Sequence, residues 1–536
     1  MFSYTEAEAK DGYGKALQEI FSVGPTVDTK TETESFEDGN PAVEFFPNDV
    51  KFLNMTLKDC IVHAFENNYD IKIAHLDPPI REKEITVEKS VFDPLLKFTG
   101  NRNVSEEPTV NQLLTGGVGV RTIEITEFKR DNNTFSAAIE KPFETGALLS
   151  LNFNLIPREF IDPAPFQPLN PQSRSFIELN LTQPILRNAG IFYNRSKIYI
   201  ARNNKKISLL QLKQTAIEVI NNVQKKYWEL VKAVEDLKVR NKSLERAKDL
   251  LRNNRIQVKV GTLAPIDVLE AEEGVAKQVE GVIIEENNVE NKEDELKQIM
   301  NLKRESILSD ASIIPLDKPS FEIRKVSLDE SIDIALGNRP ELLVQGLDIE
   351  NAKINVKQRR NELLPKLDVN AGIRYSGLAA NSGHSIDSVF SEQFQTEFFG
   401  LTFELPIGNR EARNNYSKAR LETTRSIMKR SRLEQDVIVE VRMAVRQIKT
   451  NIERVKASTK AKELAQERLE AEEKKFKVGR TTSLEVVRAQ ENLAIAEGRA
   501  TNAIVDYQIS LGDLEAVQGT ILAKNSITIE DGKELK

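Results

Sequence analysis

Cysteine is almost missing. Cys60 stands alone among 536 residues, so one chain can build neither an intramolecular disulfide nor a thiolate metal cluster. Aromatic residues make up only 6%, charged residues reach 29%, and mean hydropathy is −0.40. Such a chain suits long polar-faced helices better than the roughly three or four thick-cored domains that its length would otherwise hold. Nowhere does an apolar run approach the ~20 residues that a membrane-spanning helix needs. The opening stretch MFSYTEAEAKDGYGKALQEI lacks an apolar h-region, so no secretory signal is visible. Either the chain is not secreted or its leader is missing from this sequence. Net charge is −7 with both signs interspersed, which gives no nucleic-acid-binding surface.

Catalytic patterns are missing too. The three histidines are His63, His75 and His384; the first two are expected on one helix, but twelve positions apart rather than three or four. That spacing gives no zinc pair. GGVG at Gly116–Gly119 lacks the Lys-Ser/Thr of a phosphate loop and reads as a turn. Gly-x-Ser-x-Gly, a partnered nucleophilic Cys and a nucleotide fingerprint are likewise not found. Enzymatic activity, cofactors and metals are therefore not expected.

What the chain does have is a repeat. FKVGRTTSLEVVRAQENLAIAEG begins at Phe476, and VKVGTLAPIDVLEAEEGVAKQVEG begins at Val258. Upstream, TLKDCIVHAFENNYDIKIAHLDPPI from Thr56 aligns with SLDESIDIALGNRPELLVQGLDIEN from Ser327, pairing Cys60 with Ser331 and, further on, Pro94 with Pro365. IELNLTQPI from Ile177 matches FGLTFELPI from Phe399, pairing Pro184 with Pro406. Each half is thus expected to run helix, strand, loop, strand, long helix, tight turn, helix. The proposed layout is an acidic arm at 1–50, a first repeat at 51–310, a linker at 311–326, a second repeat at 327–519 and a tail at 520–536.

Apolar residues recur in steps of three and four through Leu212, Ala216, Val219, Val223, Tyr227, Leu230, Val234 and Leu237. Val437, Val441, Ala444, Ile448, Ile452 and Val455 repeat the stripe. Both are heptad-like. Proline and glycine are absent between about 191 and 260 and between about 409 and 478, so each helix reaches roughly 100 Å, the length of a rod. Asp77-Pro78-Pro79 should kink or restart an earlier helix.

Other stretches alternate with period two. LDVNAGIRY (Leu367–Tyr375) sets Asp368, Asn370 and Arg374 opposite its apolar side chains. FGLTFEL does so with Thr402 and Glu404, and IELNLTQ with Glu178, Asn180 and Thr182. Each is a strand with one wet face. A barrel with lipid outside and water inside uses such strands without any covering layer. Between its strands the first half carries an insertion, residues 101–175, with a hairpin turned at Glu144-Thr-Gly146. That hairpin can lengthen the barrel strands, cap the mouth or add strands to the wall. The run IPREFIDPAPFQPLNPQ reads as a surface loop.

From Phe476-Lys-Val-Gly479 through Glu485-Val-Val, Ala489-Gln490, Leu493 and Ala496 to Tyr507, Leu511, Leu514 and Gly519, the chain resembles the TolC family of outer-membrane efflux proteins. The resemblance extends over residues 52–519. It implies a mainly α fold with β: long antiparallel coiled-coil helices forming a periplasmic α-barrel, plus a short antiparallel transmembrane β-barrel. The chain would be internally duplicated and assembled as a homotrimer, each copy lending four strands to a shared twelve-stranded barrel in the outer membrane of a Gram-negative-type bacterium. Lipid would meet the apolar strand faces, and Glu178, Asn180, Thr182, Asp368, Asn370, Arg374, Thr402 and Glu404 would face the lumen.

The resemblance further implies that the turns Val260-Gly261-Thr262 and Val478-Gly479-Arg480 form the periplasmic tip and dock an adaptor protein, although a plain helix stop also accounts for the two glycines. Asp267 and Glu485 would converge on the axis as a constriction. Where family members carry a second acid, Arg488 stands here, so a second ring would be mixed, with Arg488 paired to Glu270 or Asp267. Function on this reading is passive exit for solutes driven by an inner-membrane pump. The rivals are a type I protein-secretion duct and a soluble structural coiled coil.

Overall fold

The computed structural model describes residues 52–110, 125–162, 168–302 and 311–529. The expected acidic arm, the GGVG turn and the last residues of the tail lie outside them. The first repeat holds β1 (Phe52–Met55), α1 (Leu57–Asn67), α2 (Tyr69–Ser90), β2 (Leu95–Val110), β3 (Ile125–Pro142), β4 (Leu148–Asp162), β5 (Gln172–Pro184), α3 (Ile191–Asn194), α4 (Ser196–Lys259) and α5 (Pro265–Met300). Between the repeats lies β6 (Ser312–Pro315); the second holds α6 (Leu328–Asn338), α7 (Pro340–Asn361), β7 (Lys366–Ala379), α8 (Ser382–Phe390), β8 (Gln395–Glu404), α9 (Arg410–Lys477) and α10 (Ser483–Val517), and α11 (Ile521–Lys524) follows it.

The chain forms two compact units, and each draws on both repeats. Of the described residues, one contains those up to Asp77, those within Ser208–Val344 and those from Arg432; the other contains those within Pro78–Ile207 and Gln345–Ser431.

In the first unit the two apolar stripes build two separate cores. Leu212, Ala216, Val219, Val223, Tyr227 and Leu230 pack with Cys60, Ile61 and Ala64 of α1. Val437, Val441, Val445, Ile448 and Val455 pack with Ala335, Leu342 and Tyr507. Thr56 starts α1 with a capping box, its hydroxyl accepting from the Asp59 N–H while the Asp59 carboxylate accepts from the Thr56 N–H. β1 pairs in parallel with β6, bringing Asp317 to the Tyr227 hydroxyl, which donates to it at 2.8 Å. Burial, then the nearby Asp59 and Asp317 carboxylates, push the Cys60 thiol up to about 12, so it stays an unreactive core thiol.

Two expectations for the first helices change. His63 and His75 lie on different helices, because Asn68 takes ψ 132° at the end of α1 and its side-chain oxygen then accepts from the Asp70 and Ile71 N–H groups to begin α2. Pro78 and Pro79 do not restart a helix, since α2 runs through both. Two adjacent prolines remove two neighbouring donors and leave the rest of the ladder in place.

The second unit is built on one antiparallel sheet in the order β2-β3-β4-β5-β7-β8. The four strands per chain expected from the resemblance are therefore six. The insertion supplies the difference: β3 and β4, joined at the expected Glu144-Thr-Gly146 turn, pair between β2 and β5. Gly146 takes φ +94° there, and its N–H donates to the Phe143 carbonyl at 2.9 Å. The run expected as a surface loop begins instead as strand, its residues 156–162 belonging to β4. α8 lies on the sheet with the Ser385 hydroxyl 2.8 Å from that of Ser175.

Candidate functional site

In the first unit the site is the pair of helix reversals. α4 and α9 each stop in a Schellman motif. The Gly261 N–H donates to the Val258 carbonyl at 3.0 Å and the Thr262 N–H to that of Gln257 at 2.9 Å; Gly479 and Arg480 repeat this on Phe476 and Lys475, both at 2.9 Å. The glycines take φ +78° and +70°. Val260 and Val478 remain 68% and 69% exposed, so each reversal ends in an uncovered aliphatic side chain. Behind them Leu250, Leu469, Phe476, Val486, Ala489 and Leu493 form a small core.

Asp267 and Glu485 occupy matching places in the first turns of α5 and α10, where a carboxylate complements the helix dipole. Both are half-buried, as is Glu270. Arg488 does not pair with Glu270 or Asp267 within the chain; it donates to Glu485 at 2.7 Å, one turn away on its own helix. The i,i+3 geometry makes that the nearest carboxylate. One residue the sequence reading missed joins the two reversals. Asn254, fully buried on α4, donates to the Asp267 carbonyl at 3.0 Å and to the Ser483 hydroxyl at 2.6 Å. The signal was an Asn continuing the apolar stripe after Ala247 and Leu250.

In the second unit the site is the sheet. All eight polar strand residues lie on one face, and most are tied across strands. Arg374 donates to Glu178 from two nitrogens, the Thr182 hydroxyl donates to Asn370 at 2.9 Å, and Asn370 donates to Thr402 at 3.3 Å. Lys366 bridges Asp368 and Glu404 at 3.4 and 2.9 Å. Asn180 sits opposite Gly372 with its side-chain oxygen buried and unpartnered among the described residues. Near the other end of this face, buried Glu159 lies 3.6 Å from Arg130 and 3.2 Å from Arg174 and accepts from Gln172 at 2.7 Å.

The opposite face is apolar in continuous cross-strand rows. Leu96, Ile139, Leu151, Leu179 and Ile373 make one row; Phe98, Ala137, Phe153, Ile177 and Tyr375 make the next, rich in rings. Among the described residues no layer covers its β8 end, where Phe399, Leu401 and Phe403 are 72%, 64% and 61% exposed. Past Gly100 and Phe135 the same face of β2 and β3 turns polar, with Arg102 3.4 Å from Asp131 and Lys129 paired to Glu106. An apolar band bordered by aromatic rings and then by ion pairs is the pattern of a strand surface that meets lipid over part of its length. No described helix is long and apolar enough to cross a membrane.

The family profile described as "Outer membrane efflux protein" matches residues 172–302 and 331–520, together more than half of the chain. The chain belongs to that family. Outer membrane protein TolC of Vibrio cholerae serotype O1 is 22% identical over 320 residues, 59% of this chain and 70% of the relative. Outer membrane efflux protein BepC of Brucella suis biovar 1 is 20% identical over 459 residues, 83% of this chain and 81% of the relative. In structure, the CmeC outer membrane channel of Campylobacter jejuni superimposes with a TM-score of 0.60 at 18% identity, covering 90% of each chain, which shows the shared fold. This outer membrane efflux protein combines two long-helix reversals with a sheet of six strands. The matched segments include both helix reversals and all eight polar strand positions, but not β3 and β4.

Proposed function

We propose that three copies of this outer membrane efflux protein close edge to edge into one water-filled duct. Solutes leave through it passively, driven by an inner-membrane pump that engages the duct through a periplasmic adaptor. The observation that carries this reading is the sheet. Among the described residues its apolar face has no covering layer over the exposed Phe399–Phe403 stretch, its polar face is cross-linked side chain to side chain, and its two edges, β2 and β8, are unpaired. Open edges and a bare apolar face are both liabilities in water, and closure within a bilayer removes both. β2 and β8 run antiparallel to each other in this order, so β8 of one copy can pair with β2 of the next. Three sheets of six strands make a wall of eighteen. On this reading the polar positions line the lumen. Val260-Gly261-Thr262 and Val478-Gly479-Arg480 form the adaptor-docking tip, and Asp267 and Glu485 form the constriction.

Extraction and conductance test it. The protein should leave membranes only with detergent, migrate as a species of three chains, and give ion-conducting events in a planar bilayer. A chain that stays folded and monomeric in plain buffer would end the reading.

A further inference from the structure

Within the second unit, α4, α7 and α9 line a groove of about 790 Å³. Arg202 and Lys206 reach it from α4, Lys353 and Lys357 from α7, and Arg420 from α9, against a single carboxylate, Glu350. Arg202/Lys206 and Lys353/Lys357 are i,i+4 pairs of like charge, an arrangement that costs helix stability. Arg202, Lys206, Lys353 and Arg420 have no carboxylate partner among the described residues, whereas nearby Lys205 pairs with Glu82 and Arg359 with Glu362. Other cations of this unit, such as Lys197 and Arg360, also lack an ion pair among the described residues, but only around the groove do five cations share one hollow with a single carboxylate. Two rings complete the lining: Phe192 and Tyr199 lie 5.8 Å apart, with the Lys357 ammonium 5.0 Å from the Phe192 centroid. The volume falls in the ~300–1,000 Å³ range of small-molecule sites.

We propose that this groove binds an anion that carries an apolar or aromatic body, its charge held by the Lys353/Lys357 and Arg202/Lys206 pairs and its body lying against Phe192 and Tyr199. α7 gives way to β7 five residues after its end, and α4 begins shortly after β5, so the groove opens close to the sheet. An anionic lipid headgroup and a soluble organic anion share the required chemistry. Because the groove forms inside one chain, the proposal stands whether or not three chains close a duct.

The full-length protein in a nonionic detergent would be titrated with 1-anilinonaphthalene-8-sulfonate and, separately, with its uncharged analogue N-phenyl-1-naphthylamine. The expected result is a sulfonate affinity that falls as salt is raised and is weakened about tenfold or more by Lys353→Gln/Lys357→Gln, and likewise by Arg202→Gln/Lys206→Gln. Binding of the uncharged dye should stay unchanged. These side chains are exposed, so the variants are expected to keep the wild-type circular dichroism. In parallel, lipid that copurifies would be measured. Phosphatidylglycerol retained by the wild type and lost from the variants assigns a headgroup, and sulfonate binding without it assigns a soluble anion. Equal sulfonate affinity in wild type and both folded variants, with no loss of phosphatidylglycerol, overturns the site.

Discussion

Asp236 shows how a single carboxylate on a long helix can work against the fold. Burial first, then the Glu285 carboxylate on α5 and Glu235 beside it, push its pKa up to about 6, against the pull of Lys232 and Arg240. The folded chain therefore holds this proton where the unfolded chain has released it. Stability is full below the ordinary value of 3.8, declines as pH rises towards about 6, and is level above that. Asp236→Asn should raise the melting temperature at pH 7 by the equivalent of about 1–2 kcal/mol, after discounting for solvent screening, and should bring no gain at pH 4. Asp267 and Glu485 lead to a transport prediction. Neutralising both, as Asp267→Asn/Glu485→Gln, should lower the cation preference of the channel in planar bilayers, because six carboxylates near one axis would otherwise attract cations. Selectivity equal to wild type would remove these residues from the constriction. Their matching places were legible from the repeat. The Glu485–Arg488 pair was not, since a carboxylate chooses its partner by rotamer and distance.

At the scale of elements, Asn254 links three helices through two hydrogen bonds. Asn254→Ala removes both bonds and leaves the buried Ser483 hydroxyl without its donor, while the Asp267 carbonyl keeps its intrahelical bond, at a cost of about 1–3 kcal/mol. Amide exchange should quicken in the first turns of α5 and α10 and nowhere in α7. Unchanged exchange would mean that these bonds restrain nothing. α8 offers a second test. A Cβ at Gly377 would stand 2.0 Å from the Ser385 carbonyl oxygen, so Gly377→Ala should lift α8 from the sheet and expose Ser385–Val389 to limited proteolysis. Gly383→Ala, which meets only Asn381 at 3.7 Å, is the control expected to resist. The long helices were legible because an apolar step of three and four between proline- and glycine-free limits depends on near neighbours. α8 was not: nine residues are too few for a repeating stripe, and the helix is held by the Asn381 cap and by Ser385 bonding to Ser175 and to the Gly377 carbonyl of the sheet.

At the scale of the whole molecule, the hairpin β3–β4 would set how much wall one chain supplies to the proposed duct. A chain in which β2 is joined to β5 by a short turn, without β3 and β4, should give assemblies whose barrel end, imaged in detergent by electron microscopy, narrows to about two thirds of the wild-type diameter, since barrel diameter grows roughly linearly with strand number. An unchanged diameter would place the hairpin outside the wall. β2, β3 and β4 have 16, 18 and 15 residues, more than the ~9–11 of a tilted crossing, so in the proposed duct they would continue past the bilayer, where the ion pairs beyond Gly100 and Phe135 would lie.

The amino-acid order by itself determined the duplication, the two long helices with their glycine stops, the period-two strands and the polar positions along them. Each of these is written within a few turns or pleats of chain. Only the tertiary structure decided that the inserted hairpin pairs between β2 and β5, that Asn254 reaches Ser483, and that five cations on three helices face one cavity. Those outcomes depend on which distant segment wins the competition for an unpaired edge or a buried donor. That free energy belongs to contacts between residues far apart in sequence, and local periodicity carries no record of it.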